Sequence, residues 1–254
     1  MFIDTHTHLY DEQFDHDRES VIEKSIAAGV GKMFLPNCDN STIQPMMEMA
    51  AKWPQHCFPM MGLHPCYVKE NYKNELNTVA EWLDKNQFFA VGEIGLDYYW
   101  DETFVPQQKD AFNVQMDLAL QHNLPIVIHT RDSMDDGISM VQKKQNGSLK
   151  GIFHCFGGTI DQAKAIIDVG FYLGIGGVAT FKKSSLQETL KQIPLSHIVL
   201  ETDAPYLAPV PYRGKRNESS FIPLIAQMIA DIKQCSITEV EKTTTDNANK
   251  IFDK

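Results

Sequence analysis

Six side chains able to bind a divalent cation, His6, His8, Glu93, His129, His154 and Asp203, each close a short apolar run. Imidazole nitrogen and carboxylate oxygen suit zinc, manganese or magnesium, and four histidines with two carboxylates suffice for two ions. Such ions activate water, so the set points to a metal-dependent hydrolase. His6 and His8 are two residues apart, a spacing that on a strand puts both imidazoles on one face. Two histidines alone would fit a surface turn equally well; Asp4 just before them and Asp203 late in the chain favour a chelating pair. Glu93, in Gly92-Glu93-Ile94-Gly95-Leu96-Asp97, offers two oxygens between glycines that permit close approach, so it can bridge ions about 3.5 to 4 Å apart. Asp203 is expected beside the ion of His6 and His8, as general base for the water, with Glu201 orienting a ligand from behind.

Other groups fit a substrate better than a metal. His64, in Gly62-Leu63-His64-Pro65, ends a strand at the same mouth, where it can hydrogen-bond a phosphate oxygen or protonate a leaving group. Arg131, Arg213 and Arg216 supply the cations a phosphate backbone attracts, and Lys215 is either a fourth or simply solvated charge. Cys155 adjoins His154, but no second histidine is placed to activate it, which argues against a cysteine nucleophile. No Gly-x-x-x-x-Gly-Lys-Ser/Thr loop occurs, and Gly174, Gly176 and Gly177 do not open a dinucleotide fingerprint.

The elements that must carry these groups are read from alternation. Eight apolar runs, Met1-Asp4, Gly31-Pro36, Phe58-Leu63, Phe88-Glu93, Pro125-His129, Gly151-His154, Phe171-Ile175 and His197-Glu201, read as strands separated by helical patterns such as Asp17 to Ala28 and Gln107 to Leu120. Glu218 to Lys233 and Thr238 to Phe252 read as the last helices. An open doubly wound sheet would gather a site at one switch point, whereas these candidates end strands one, four, five, six and eight. Only a closed ring brings those ends together, so the expectation is a TIM barrel of eight β/α units.

At 254 residues and 43% apolar composition, the chain fits one barrel domain spanning its whole length, since such barrels take roughly 250 residues. The net charge of -10 argues against a surface that attracts nucleic acid everywhere, but bound dications and a local basic patch can reverse the potential of one cleft. Five cysteines with no Cys-x-x-Cys pair imply neither a disulfide framework nor a thiolate zinc site, and fit a reducing cytoplasm. No secretory leader is evident, and no run approaches the roughly 18 apolar residues of a membrane span.

Taken together, Phe2-Ile3-Asp4-Thr5-His6-Thr7-His8, Gly62-Leu63-His64-Pro65, Gly92-Glu93-Ile94-Gly95-Leu96-Asp97, His129-Thr130-Arg131-Asp132, His154-Cys155-Phe156-Gly157-Gly158, Glu201-Thr202-Asp203-Ala204-Pro205-Tyr206-Leu207 and Arg213-Gly214-Lys215-Arg216-Asn217-Glu218 run in order over nearly the whole chain. The chain thereby resembles the TatD family of deoxyribonucleases. That resemblance implies an amidohydrolase-type TIM barrel, a divalent-metal site on His6, His8, Glu93, His129, His154 and Asp203, and 3'-5' exonuclease action on DNA, at single-stranded or frayed ends. Where the family's pattern continues with proline, this chain has Ser219-Ser220, which touches loop shape and not the candidate ligands. The same barrel and ligands also serve amide, lactone or aminoacyl-ester hydrolysis, and a noncatalytic metal-binding scaffold is the alternative outside enzymes.

Overall fold

A computed structural model describes residues 1–182 and 184–253. The apolar runs form eight short parallel strands: β1 Phe2–Asp4, β2 Val30–Pro36, β3 Cys57–Met60, β4 Val91–Asp97, β5 Ile126–Arg131, β6 Gly151–Phe153, β7 Tyr172–Ile175 and β8 Ile198–Leu200. Between them run α1 Arg18–Ala27, α2 Asn40–Lys52, α3 Tyr72–Lys85, α4 Val105–His122, α5 Met134–Lys144, α6 Ile160–Asp168 and α7 Leu186–Gln192, followed by α8 Ile222–Lys233 and α9 Ile237–Phe252. Among the described residues, no helix is long and apolar enough to cross a membrane.

Hydrogen-bonded pairing runs β1-β2-β3 and β4-β5-β6-β7-β8. Two seams join these arcs into a ring. Met61 and Val91 form a parallel bridge, supported by Met61 N–H to the Ala90 carbonyl at 3.1 Å and Gly92 N–H to the Met61 carbonyl at 2.9 Å. At the other seam, Thr5 N–H donates to Leu200 (3.0 Å) and Asp203 N–H to His6 (2.9 Å). The buried Asp4 carboxylate clamps this seam by accepting from Thr202 N–H at 3.0 Å and the Thr202 hydroxyl at 2.6 Å. Burial pushes Asp4 up to about 7 against the lowering effect of those bonds.

The fold is the expected TIM barrel, and its interior is packed. Ile3, Phe34, Met60, Ala90, Val127, Ile152 and Val199 form a separate apolar cluster drawn from strands around the ring, with Ile251 and Phe252 of α9 packed against it. Phe252 stacks on Phe34 at 3.8 Å between ring centroids, so the last helix plugs one end and leaves polar chemistry to the other. A second, larger cluster fills the layer between strands and helices. Local signals set the helix starts: Asp39 and Thr159 each make reciprocal capping boxes on α2 and α6.

Two strands differ from the sequence reading in ways that matter for the site. The fourth was expected over Phe88 to Glu93, but it runs from Val91 to Asp97, so Glu93 lies within it. The fifth was expected to end at His129, yet continues to Arg131. All seven residues of β4 are buried, so the polar Glu93 and Asp97 belong to the barrel rather than marking its exit. Gly95 is what lets β4 approach β5: it has φ +138°, and a Cβ there would lie 2.1 Å from the His129 carbonyl oxygen. Gly95→Ala should therefore lose about 2 kcal/mol or more of stability, read from the midpoint of chemical denaturation. An unchanged midpoint would show that this close approach carries no constraint.

Candidate metal centre

Glu93 stands at the centre of the barrel mouth with its two oxygens facing different histidines. Its Oε2 is 3.1 Å from His6 Nε2 and 3.6 Å from His8 Nε2, while Oε1 is 2.9 Å from both His129 Nδ1 and His154 Nε2. Asp203 Oδ1 completes the first group at 3.6 Å from each of His6 Nε2 and His8 Nε2, which are 3.2 Å apart. In the second group, His129 Nδ1 and His154 Nε2 are 3.4 Å apart. Donors about 2.1 Å from a tetrahedral ion are spaced by about 3.4 Å, so both groups have the dimensions of a divalent-cation site.

The protons on these rings fit the same reading. Tyr10 donates its hydroxyl proton to the Pro36 carbonyl (2.5 Å), leaving its oxygen to accept from His8 Nδ1 (2.9 Å) and the lone pair of His8 on Nε2. Asp97 Oδ2 accepts from His129 Nε2 at 2.9 Å, which leaves the lone pair on Nδ1. Glu201 Oε1 lies 3.4 Å from His154 Nδ1 and also accepts Cys155 N–H at 2.5 Å. The bonds behind His8 and His129 turn an imidazole lone pair inward and support it, as metal-binding histidines require, while behind His154 Glu201 approaches Nδ1 without a hydrogen bond. Lone pairs facing carboxylate oxygens at these distances repel unless a cation or proton lies between them.

Electrostatics reinforce the point. Burial pushes the Glu93 carboxyl up, but His154, His64 and His6 outweigh it and hold the group well below the usual range. Burial likewise opposes charge on Asp203, while the nearby His8, His154 and His6 pull it down. Burial lowers His6, and so does His154, whose ring stacks on it at 3.8 Å. The buried carboxylates are thus kept ionised only while positive charge, a ring proton or a bound cation, sits beside them.

Backbone geometry aims several of these groups. His6 and His8 lie beyond the end of β1, so strand alternation is not what makes them converge; the bonds of His8 N–H to Ala204 and Thr7 N–H to Phe34 fix that stretch. His154 follows β6 directly, and Asp203 lies three residues past β8 in a left-handed conformation, φ 58°. Cys155 is also left-handed, φ 47°. Such conformations cost roughly 1–3 kcal/mol for non-glycine residues and collect at functional sites.

The remaining expected residues divide. His64 Nδ1 accepts Cys66 N–H at 3.1 Å, so its proton sits on Nε2, 3.3 Å from Glu93 Oε1. That tautomer makes His64 a hydrogen-bond donor into the pocket and removes the lone pair a metal would need. Arg131, Arg213 and Lys215 line the same ≈ 800 Å³ cleft as the candidate ligands. Arg216 does not. Its guanidinium holds Asp17 by two bonds of 2.8 and 2.6 Å and reaches the Gln13 carbonyl at 2.6 Å, which ties the loop after β8 to α1. Asp97 and Tyr10 were given no role by the sequence, though Asp97 stood in a motif already singled out.

Asp97→Asn should weaken metal binding about 10-fold or more, measured by competition with a chromophoric chelator. Arg216→Ala should leave that affinity intact and lower thermal stability. The reverse pattern would exchange the two assignments.

Comparisons with known proteins identify the family. The family model described as TatD related DNase matches residues 3–253. An uncharacterized metal-dependent hydrolase of Bacillus subtilis is 37% identical over 253 residues, covering 99% of each chain. A protein of Pantoea ananatis described as a 3'-5' ssDNA/RNA exonuclease is 31% identical over 255 residues, covering 98% of each. Among solved structures, a TatD homologue from Escherichia coli superimposes with a TM-score of 0.94 at 25% identity, over 100% of this chain and 98% of that one.

Proposed function

The chain belongs to the family of TatD-related DNases and is a metal-dependent hydrolase; from that premise we propose that it cleaves phosphodiester bonds of DNA from single-stranded or frayed 3' ends. The observation that carries the reading is the two-faced Glu93, with His6 and His8 against one oxygen and His129 and His154 against the other, and with Asp203 beside His6 and His8, beneath a mouth lined by Arg131, Arg213 and Lys215. In a protein of net charge -10, cations gathered at the mouth favour a phosphate substrate over a neutral amide or lactone. The printed description of the Pantoea ananatis relative supports the same choice.

The donor set fits two divalent ions of magnesium, manganese or zinc type, and when bound these would supply positive charge against the phosphate and lower the pKa of water towards ~7. His6, His8, Asp203 and Glu93 would hold one ion, and Glu93, His129 and His154 the other. Asp203, ionised and at the open side of the pocket, takes the proton of the attacking water. His64 presents Nε2–H to a phosphate oxygen or to the departing deoxyribose oxygen. Arg131 and Arg213 hold neighbouring phosphates. The whole chain acts as one catalytic domain, and its five cysteines, all unpaired, fit a reducing cytoplasm.

End-labelled single-stranded DNA, assayed across a metal series with a chelator control and beside an activated carboxylic ester, tests the reaction class. Asp203→Asn should abolish metal-dependent cleavage with circular dichroism unchanged, and a fully active variant would remove Asp203 from the mechanism. His64→Ala should cut turnover on the order of 100-fold or more while retaining metal content. Loss of metal instead would make His64 a ligand. Ester hydrolysis without DNA cleavage would replace the phosphodiester reading.

A further inference from the structure

Exposed aromatic residues gather at the mouth of the cleft. Trp100 is 68% exposed, Tyr99 55%, Tyr206 50% and Tyr67 45%, and Trp100, Tyr206 and Tyr67 line the cleft itself. Water-facing aromatic rings beside a catalytic pocket leave apolar faces open to a ligand. Basic side chains are interleaved with them: the Arg131 guanidinium lies 3.9 Å from the Tyr99 ring centroid and 5.5 Å from that of Trp100, and Arg213 lies 4.4 Å from that of Phe181. Unlike Arg216, which is committed to Asp17, neither Arg131 nor Arg213 takes part in an ion pair among the described residues. The exposed Trp100 ring, and the Tyr99 face turned away from Arg131, beside guanidinium groups without ion pairs, are complementary to a base attached to a phosphate.

The turn that carries Tyr99 and Trp100 is fixed in place. Asp97 Oδ1 accepts both Tyr99 N–H and Trp100 N–H at 3.0 Å, while the other oxygen of the same carboxylate holds His129. The aromatic turn is therefore anchored to the candidate metal centre through one buried side chain, and a ligand stacking on it gives up little loop freedom.

We propose that the Tyr99–Trp100 turn, with Arg131 against it, is a base-stacking platform for the nucleotide next to the scissile bond, and that it selects unpaired ends. Stacking requires a base whose face is open. Inside a duplex those faces are covered by neighbouring pairs, and a blunt terminus opens only the outer face of its last pair, so a single strand or a frayed end offers the platform a base that a duplex interior does not. Arg131 then meets the attached phosphate. The proposal rests on the phosphodiester reading, which it deepens by naming how the substrate is held.

The test compares the metal-loaded wild type with Trp100→Ala and Trp100→Phe on two substrates: a single-stranded oligodeoxynucleotide, and methyl p-nitrophenyl phosphate, which carries no neighbouring base. Trp100→Ala should raise KM for the oligonucleotide about tenfold or more with little change in kcat, and Trp100→Phe should restore it. Hydrolysis of the small diester should not change. Unaltered KM for the oligonucleotide, or equal loss on both substrates, overturns the platform. If the wild type cleaves neither phosphodiester, the functional reading fails separately, and the platform is then judged by binding alone. Wild-type tryptophan emission should be quenched by the oligonucleotide in the presence of chelator and that of Trp100→Phe should not; equal quenching in both overturns the proposal.

Discussion

One buried carboxylate among five imidazoles sets the terms for the rest of the molecule. Glu93 is 2% exposed, and each of its oxygens faces histidines from separate parts of the chain. A charge taken out of water is tolerated only when paired and hydrogen-bonded. The barrel meets that condition by surrounding Glu93 with His6 and His8 from the first β/α unit, His64 from the third, and His129 and His154 from the fifth and sixth, which pair with it through a shared cation or ring proton. An open sheet could not supply partners on all sides of one oxygen pair. Closure of the ring is thus a chemical requirement as much as a packing outcome.

The strand and helix pattern was legible because β/α alternation is written in apolar periodicity, and the candidate donors were legible because histidines at the ends of apolar runs are unusual. Boundaries at the site were not. Glu93 reads as the polar exit of a strand, yet it lies inside β4, and the strand runs on to a buried Asp97 that accepts from His129. The convergence of His6 and His8 was expected from strand alternation, but arises in irregular chain beyond β1, held by backbone bonds that no local pattern reveals. Arg216 shows the opposite limit. Its charge reads the same whether it faces a phosphate or Asp17, and only the fold distinguishes them.

Support behind the donors has a consistent chemistry. Tyr10, Asp97 and Glu201 stand behind His8, His129 and His154, each presenting oxygen to the nitrogen turned away from the pocket. Asp97 differs in using its second oxygen to brace the turn at the rim. The aromatic turn and the candidate metal centre therefore share a foundation in Asp97. Cys155, next to His154, is pushed far above its ordinary range by burial, which keeps the thiol protonated and leaves it outside this chemistry.

The seam between β1 and β8 has a temporal meaning. Asp4 and Thr202 meet across 198 residues, and Asp203 joins His6 and His8 over a similar span. A ribosome makes the two histidines almost at once and the matching carboxylate only after most of the barrel. Until Asp203 is made the nascent chain lacks its complete donor set, and so does any proteolytic fragment missing either flank. The set closes together with the ring.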